Sequence, residues 1–375
     1  MDITWNGDWF YANRSHASVD RYIALGLHEL GHNVRVTNIV DGKHFDPKNE
    51  GHKLIKSFTE KKFDSDYNIY KFPSIKSAKE GPKFNCLIHG DGSYTFSVRE
   101  KGLIESSFIT HLWLPTPEQA EIVDRLLSKK VVSPGVDGGI DPKVFNLNVE
   151  PFDFTTMGIK KETFKFVLAC DGVQSTSNRP FGSFRGSDIA IESFMGGFSS
   201  KDHVCLIIKA AKGTGIVDSF IQKTESVFPD HAPIIKDYGM EPHELMAKKW
   251  KACDCMINPI RDCRWEMCCL ESLAVGTPCV ATYCGGPKRY GKEGIYFVQP
   301  SVVDGDLCRS RGDVSLSRDY WTEPSVKDFR EKMRHVYENK AELEPFGIEG
   351  SKHVLKNWKW IDMSQRIVGF FEKGE

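Results

Sequence analysis

The chain has 375 residues, long enough for two domains with separate cores, and its 40% hydrophobic and 27% charged content is that of a globular protein. A net charge of −1 gives no overall electrostatic case for a nucleic-acid or membrane partner. No apolar run approaches the roughly 20 residues of a membrane helix, so stable membrane insertion is not expected.

In chain order the first half opens on a short strand, Ile3-Thr4-Trp5, then Asn6-Gly7, followed by a polar loop from Asp8 to Ser18. Tyr22, Ile23, Leu27 and Leu30 recur at helical spacing, and Val34 and Val36 alternate into a second strand. This is the start of a βαβ unit. Tyr67 to Phe72, Phe84 to Ile88 and the apolar run Phe108 to Leu114 read as further strands. Pro115-Thr116-Pro117-Glu118 opens a helix carrying Ile122, Leu126 and Leu127, and Val131-Val132 follows as a strand.

The second half repeats the alternation. Phe164 to Ala169 is a strand, a Gly/Ser/Asn-rich loop spans Asp171 to Ser183, and a helix carries Ile189, Ile191, Phe194 and Met195. Val204 to Ile208 and Ile234-Ile235 are strands, and Glu244-Leu245 opens another helix. Then comes strand Cys255-Met256-Ile257, the stretch PIRDCRWEMCCLESLAVGTP from Pro259 to Pro278, and strand Cys279 to Thr282. The expectation is an α/β protein with two halves, a linker at 146–162, and a helical tail. Eleven cysteines, some inside apolar runs, read as buried free thiols of a reducing compartment. Met1 leads into the polar-aromatic DITWNGDWF rather than a signal peptide, and a cytoplasmic location is expected.

Open α/β sheets bind ligands outside the carboxyl ends of their strands, against helix N-termini. Glu271 lies on a short helix after a strand, suited to accept hydrogen bonds from the two hydroxyls of a ribose. The alternative is a carboxylate serving only the helix dipole. Gly7, in the first strand–helix loop, lets backbone N–H groups approach a phosphate or sugar. Asp8, Asn13, Ser15 and His16 share that loop and are acceptor-side candidates. His89 ends a strand and precedes Gly-Asp-Gly, where it reaches a ligand or serves as a turn histidine bonded to backbone.

Pro259, Arg261, Trp265, Glu271, Ala274, Gly276, Thr277, Pro278, Val280 and Ala281 stand in register with the donor-binding segment of a known family. The chain resembles the retaining glycosyltransferases of the "group 1" family, which have the GT-B architecture. Gly139-Ile140-Asp141-Pro142-Lys143-Val144-Phe145 is similar to that family's signature before its interdomain linker, and Leu30-Gly31-His32-Asn33-Val34 to an earlier one. One departure is chemical. The family's first glutamate, eight residues before Glu271, is Cys263 here, with Asp262 and Glu266 as possible replacements.

The resemblance implies two Rossmann-like domains facing across a cleft, 1–150 on the acceptor side and 163–355 on the nucleotide-sugar side. A C-terminal helix, about 356–375, crosses back to the first domain. It implies donor contacts from Arg179 and Arg185 to the diphosphate, from Lys209, from Tyr238 and Met240 around the base, from Asp262, and from Glu271 to the ribose. His89 is implied as the catalytic-site residue that binds the donor sugar. The expected activity is retaining transfer from a UDP-sugar or GDP-sugar to a hydroxyl acceptor, with no metal and no cofactor. The acceptor remains open between a glycan, a lipid-linked sugar and a hydroxymethylated DNA base. A non-catalytic nucleotide-sugar-binding protein, a phosphorylase and an epimerase of the same architecture stay open as alternatives.

Overall fold

The structure is a computed structural model that describes residues 1–7, 10–11, 15–71, 78, 80, 82, 84–88, 98–114, 117–132, 138–170, 185–210, 215–261, 265–303 and 321–373. His89, Asp8, Asn13, Arg179 and Asp262 lie outside the described residues, as do the side chains of Ser15 and His16. The chain divides into two units. One takes Met1–Gly139 and Trp358–Glu375, and the other is made of the described residues of Ile140–Gly312 and Asp319–Asn357.

The first unit runs β1 (Asp2–Asn6), α1 (Ser15–Glu29), β2 (Asn33–Thr37), α2 (Glu50–Thr59), β3 (Tyr67–Lys71), β4 (Phe84–Ile88), α3 (Val98–Glu105), β5 (His111–Trp113), α4 (Pro117–Asp124) and β6 (Lys130–Val132). Its six strands are parallel, in the order β2-β1-β3-β4-β5-β6. Ile3, Trp5, Val34, Val36 and Ile69 of the sheet and Ile23, Ala24 and Leu27 of α1 are buried, and Leu87 belongs to a cluster with Tyr70, Ile104, Ile109 and Leu112. Helix α2 has no counterpart in the sequence reading. Asn49 caps it by accepting the His52 N–H at 3.0 Å, and Ile55 and Phe58 bury one face.

The C-terminal helix, Trp360–Lys373, belongs to this first unit. Its Phe371 lies 4.6 Å from the Tyr67 ring and 5.6 Å from that of Phe84, and Phe370 meets Trp113 edge-on at 5.5 Å. It crosses α1 at Gly26, where a β-carbon would stand 2.3 Å from Ser364 Oγ. Only glycine permits this helix–helix approach.

In the second unit the order is β7 (Phe164–Cys170), α5 (Ser187–Gly197), β8 (Val204–Ala210), α6 (Gly215–Glu225), β9 (Ile234–Tyr238), α7 (His243–Lys251), β10 (Cys255–Asn258), α8 (Met267–Ala274), β11 (Cys279–Thr282), α9 (Gly285–Tyr290) and β12 (Ile295–Val298). An antiparallel hairpin of β13 (Pro300–Val303) and β14 (Trp321–Pro324), then α10 (Val326–Glu338) and α11 (Lys340–Asn357), complete it before the C-terminal helix, α12. The parallel sheet runs β12-β11-β10-β7-β8-β9, the dinucleotide-fold order in which strand order reverses between β7 and β10. Phe166, Leu168, Phe194, Phe198, Ile208 and Phe329 anchor its core.

The stretch expected as a linker at 146–162 packs on this second unit. The Phe152 N–H donates to the Lys248 carbonyl at 2.9 Å, so the units part at Gly139–Ile140, earlier than the boundary at 150 drawn from sequence. Of the nine described cysteines, all but Cys268 are buried. Among the described residues no helix is long and apolar enough to cross a membrane.

Candidate functional site

The strand order reverses between β7 and β10, and the carboxyl ends beside such a reversal are the position at which these sheets take ligands. Two loops border it. From β7 the chain enters α5 through Arg185 and Gly186, and from β10 it enters α8 through Pro259 to Glu266. Gly186 caps α5 with φ +63°, and a β-carbon on it would stand 1.8 Å from the Pro259 carbonyl oxygen. The two loops therefore touch through bare backbone. Gly186→Ala should cost at least about 2 kcal/mol, from the left-handed backbone and the clash together. Chemical denaturation measures this, and a loss under 0.5 kcal/mol would show that the turn relaxes freely.

Arg185 crosses the same gap. Its guanidinium Nη1 donates to Glu266 Oε2 at 2.8 Å, with the two side chains 19% and 4% exposed. Glu266 immediately precedes α8, has φ +54°, and is one of two described non-glycine residues in that region. The Tyr290 hydroxyl donates to the Glu266 carbonyl at 2.9 Å and fixes the backbone there. Among the described residues, Glu266 Oε1 is buried without a hydrogen-bond partner.

Glu271 sits in the middle of α8 rather than at its start, so the helix dipole does not explain it. Its Oε2 accepts from Trp250 Nε1 of α7 at 3.2 Å. Burial pushes its carboxyl up to about 7, with the Trp250 bond acting in the opposite direction. Nothing local in the sequence signals the Trp250 contact. A buried tryptophan with its N–H aimed at a carboxylate is visible only once α7 and α8 pack.

Four charges organise the loop after β9. Lys209, on β8, donates to the Gly239 carbonyl at 2.7 Å and lies 3.5 Å from Glu241 and 3.8 Å from Asp237. Lys249, on α7, reaches Asp237 and Glu241 at 2.6 Å each. Burial works against the Lys249 charge, but the two carboxylates outweigh it and hold the amine more firmly protonated than usual. Lys209 thus braces the segment Tyr238–Met240. Burial, then the nearby Asp218, pushes the Tyr238 hydroxyl up to about 12, so it stays neutral. Met240 is 47% exposed. Glu241 and Lys249 carry no motif of their own, and the Asp237 carboxylate serves here as a brace, whereas only main-chain groups from Asp237 to Met240 were expected near the base.

The loop after β1 in the first unit is similarly braced. The backbone N–H groups of Phe10 and Tyr11 donate to the buried Asp41 carboxylate at 3.0 and 2.7 Å. Arg21 donates to the Phe10 carbonyl at 3.0 Å. Gly7 is buried, and a β-carbon there would come 3.0 Å from Asp20 and Trp5 Nε1, which are themselves joined at 3.0 Å. Burial and Arg21 push the His52 ring, 3.1 Å from Arg21, down to about 4, so it is neutral at physiological pH. Among the described residues no group of three or more His, Cys, Asp or Glu side chains is placed to hold a metal ion.

No protein-family model matches the chain, and no curated protein matches it in sequence. Solved structures do match in shape along the whole chain. Sucrose-phosphate synthase from Thermosynechococcus elongatus is 12% identical, with a TM-score of 0.63 over 100% of this chain and 98% of its own. WaaG, a glycosyltransferase involved in lipopolysaccharide biosynthesis, is 13% identical, with a TM-score of 0.61 over 99% of each chain. HepE from Anabaena, solved in complex with UDP and glucose, is 9% identical, with a TM-score of 0.63 over 100% of both chains. Two parallel six-stranded sheets, a C-terminal helix returned to the first unit, and end-to-end superposition on these proteins give the chain the GT-B fold of glycosyltransferases.

Proposed function

We propose that this chain is a glycosyltransferase that moves a sugar from a nucleoside-diphosphate donor to a hydroxyl acceptor. The observation that carries the reading is the strand-order reversal between β7 and β10, with the Arg185 guanidinium and the N-terminus of α5 following β7 and the buried carboxylate of Glu271 on the helix after β10. Those groups complement a diphosphate and a ribose. Arg185 takes phosphate oxygens through its planar fork, and the first N–H groups of α5 add positive potential. Glu271 accepts the ribose hydroxyls, and the segment Tyr238–Met240, held by Lys209, faces the base. Arg179 and Asp262 complete the donor side, and His89 binds the donor sugar, as the family resemblance implies. Gly7 belongs to the donor-binding set, and Asp8, Asn13, Ser15 and His16 line the acceptor side.

The difficult step is departure of the diphosphate, whose growing negative charge needs stabilising. Arg185 and the α5 N-terminus supply that stabilisation from the protein. The leaving phosphate then accepts the proton of the acceptor hydroxyl, and the new bond forms on the face the phosphate leaves, with retention. The UDP and UDP-glucose complexes of HepE support a UDP-sugar as the first donor to try, with GDP-sugars next.

The test is a donor screen by thermal shift, followed by transfer assays on glycan and lipid-linked acceptors. Ligand at 100 times its dissociation constant should add about 2.7 kcal/mol to stability. Transfer should persist in excess chelator, because protein cations neutralise the diphosphate. Complete loss restored by a divalent ion would overturn that part of the reading. The absence of any shift with every nucleotide sugar would overturn the whole.

A further inference from the structure

We propose that Trp250 is a positioning residue for the ribose: its ring N–H pins one oxygen of Glu271 and leaves the other to the ligand, so this tryptophan sets how strongly the site prefers ribose to deoxyribose. The inference rests on the ribose role proposed for Glu271 above and adds the residue that orients it. Three observations converge on it. Trp250, in the last turn of α7, is completely buried, and its Nε1 donates to Glu271 Oε2 at 3.2 Å. An indole N–H can only donate, and when buried it needs an acceptor. The Trp250 backbone is held independently of its ring. Its carbonyl accepts from the buried Thr277 Oγ1 at 2.8 Å, and the Thr277 carbonyl accepts from Ser272 Oγ, on α8, at 3.1 Å. Thr277 belongs to the Gly276-Thr277-Pro278 turn after α8, so the frame that orients Glu271 is anchored on its own helix. Finally, Glu271 keeps 8% of its surface, and its Oε1 accepts from no described residue.

The bond matters because a glutamate side chain is long and flexible. An unrestrained carboxylate samples several orientations, and ordering it at the moment of binding would consume part of the energy gained from the ligand. With Oε2 fixed by Trp250, that ordering is complete when the chain folds. Oε1 has two lone pairs and can accept from both hydroxyls of a vicinal diol through charge-assisted bonds. Deoxyribose offers one donor fewer. Discrimination between the two sugars therefore depends on Oε1 standing where the 2′-hydroxyl reaches it, and the Trp250 bond holds it there. A ring without the N–H would leave Oε2 without its donor and the carboxylate free to turn.

Calorimetric titration of the full chain with UDP, 2′-deoxy-UDP, GDP and 2′-deoxy-GDP tests this. The informative quantity is the ratio of ribonucleotide to deoxyribonucleotide affinity for the base that binds. In the unmodified chain it should be about tenfold or more, the size of one charge-assisted hydrogen bond. In Trp250→Phe it should fall to about threefold or less, because the 2′-hydroxyl no longer meets an oriented oxygen. A tryptophan analogue with sulfur in place of the ring N–H, incorporated at position 250, should give the same fall with the packing retained. It supplies the readout if Trp250→Phe fails to fold. Damage to packing alone would weaken the two nucleotides equally. A ratio that stays high in both variants would therefore overturn the inference and leave Glu271 at the ribose. A ratio near one in the unmodified chain would remove Glu271 from the ribose and this inference with it. Failure of the unmodified chain to bind any of the four would sink the donor site itself.

Discussion

Replacing Arg261 by alanine should destabilise the protein by about 3–5 kcal/mol, the cost of stranding buried charge. Arg261 leaves β10 with its guanidinium only 3% exposed. Its Nη1 and Nη2 donate to the two oxygens of Asp188 at 2.7 Å each, and its Nε and Nη2 to those of Glu323 at 2.7 and 2.8 Å. Asp188 lies in the first turn of α5, and Glu323 on β14. The Arg261 carbonyl also accepts both the N–H and the hydroxyl of Thr322, at 3.0 and 2.8 Å. One side chain therefore fastens the start of α5, the exit of β10 and the hairpin. Its removal leaves two carboxylates facing each other without a cation. Chemical denaturation of Arg261→Ala should show the loss, and nucleotide affinity should fall with it because α5 carries the proposed phosphate site. Adding Asp188→Asn and Glu323→Gln to Arg261→Met should recover most of the stability, since neutral amides do not repel. A loss below 1 kcal/mol for Arg261→Ala would mean that water replaces the guanidinium.

Arg261 also shows where sequence reading ends. Its register with the family segment was legible, but its role was not. The carboxylates that consume it lie 73 and 62 residues away, and no local period links them. The same holds for Trp250 with Glu271, and for Lys209 and Lys249 with Asp237 and Glu241. Alternating apolar strands and amphipathic helices, by contrast, are short-range signals. Strands at Phe164, Val204, Cys255 and Cys279 stand where the apolar runs begin. The apolar run Phe108 to Leu114 overstates its strand. Only His111–Trp113 pairs, and Phe108 is 51% exposed. Strands β12, β13 and β14, four residues each, have no counterpart in the expected elements, and the hairpin pairs Pro300 with Pro324 at one end of its register. Glu271 was read as a ligand carboxylate from a single stretch. Its elevated proton affinity follows from burial, which a sequence does not display.

That burial sets up opposed effects of Glu271→Gln on stability and binding. The Glu271 carboxyl is raised from an ordinary value of 4.5 to about 7 in the folded chain. A carboxyl raised in this way keeps its proton more tightly when folded than when unfolded. Its contribution to stability is therefore full below about pH 4.5 and is lost as pH rises through about 7. At pH 8 the folded protein carries a buried carboxylate at a cost of about 3 kcal/mol. Glutamine keeps the carbonyl oxygen that accepts from Trp250 and has no charge to bury. Glu271→Gln should then be more stable than the unmodified protein at pH 8, by roughly 2–3 kcal/mol, with the difference shrinking toward pH 5. Nucleotide binding should move the other way. Two ribose hydroxyls donate best to an ionised carboxylate, so affinity should rise from pH 6 to pH 8 and level off above, with a proton released on binding. Glu271→Gln should bind nucleoside diphosphate more weakly by about 1.5–3 kcal/mol at pH 8, and its affinity should be flat over that range. Denaturation and titration across pH 5 to 8 measure both halves. A variant that is no more stable at pH 8 would mean the carboxylate is ionised without cost. A variant that keeps full nucleotide affinity would remove Glu271 from the ribose site whatever its stability.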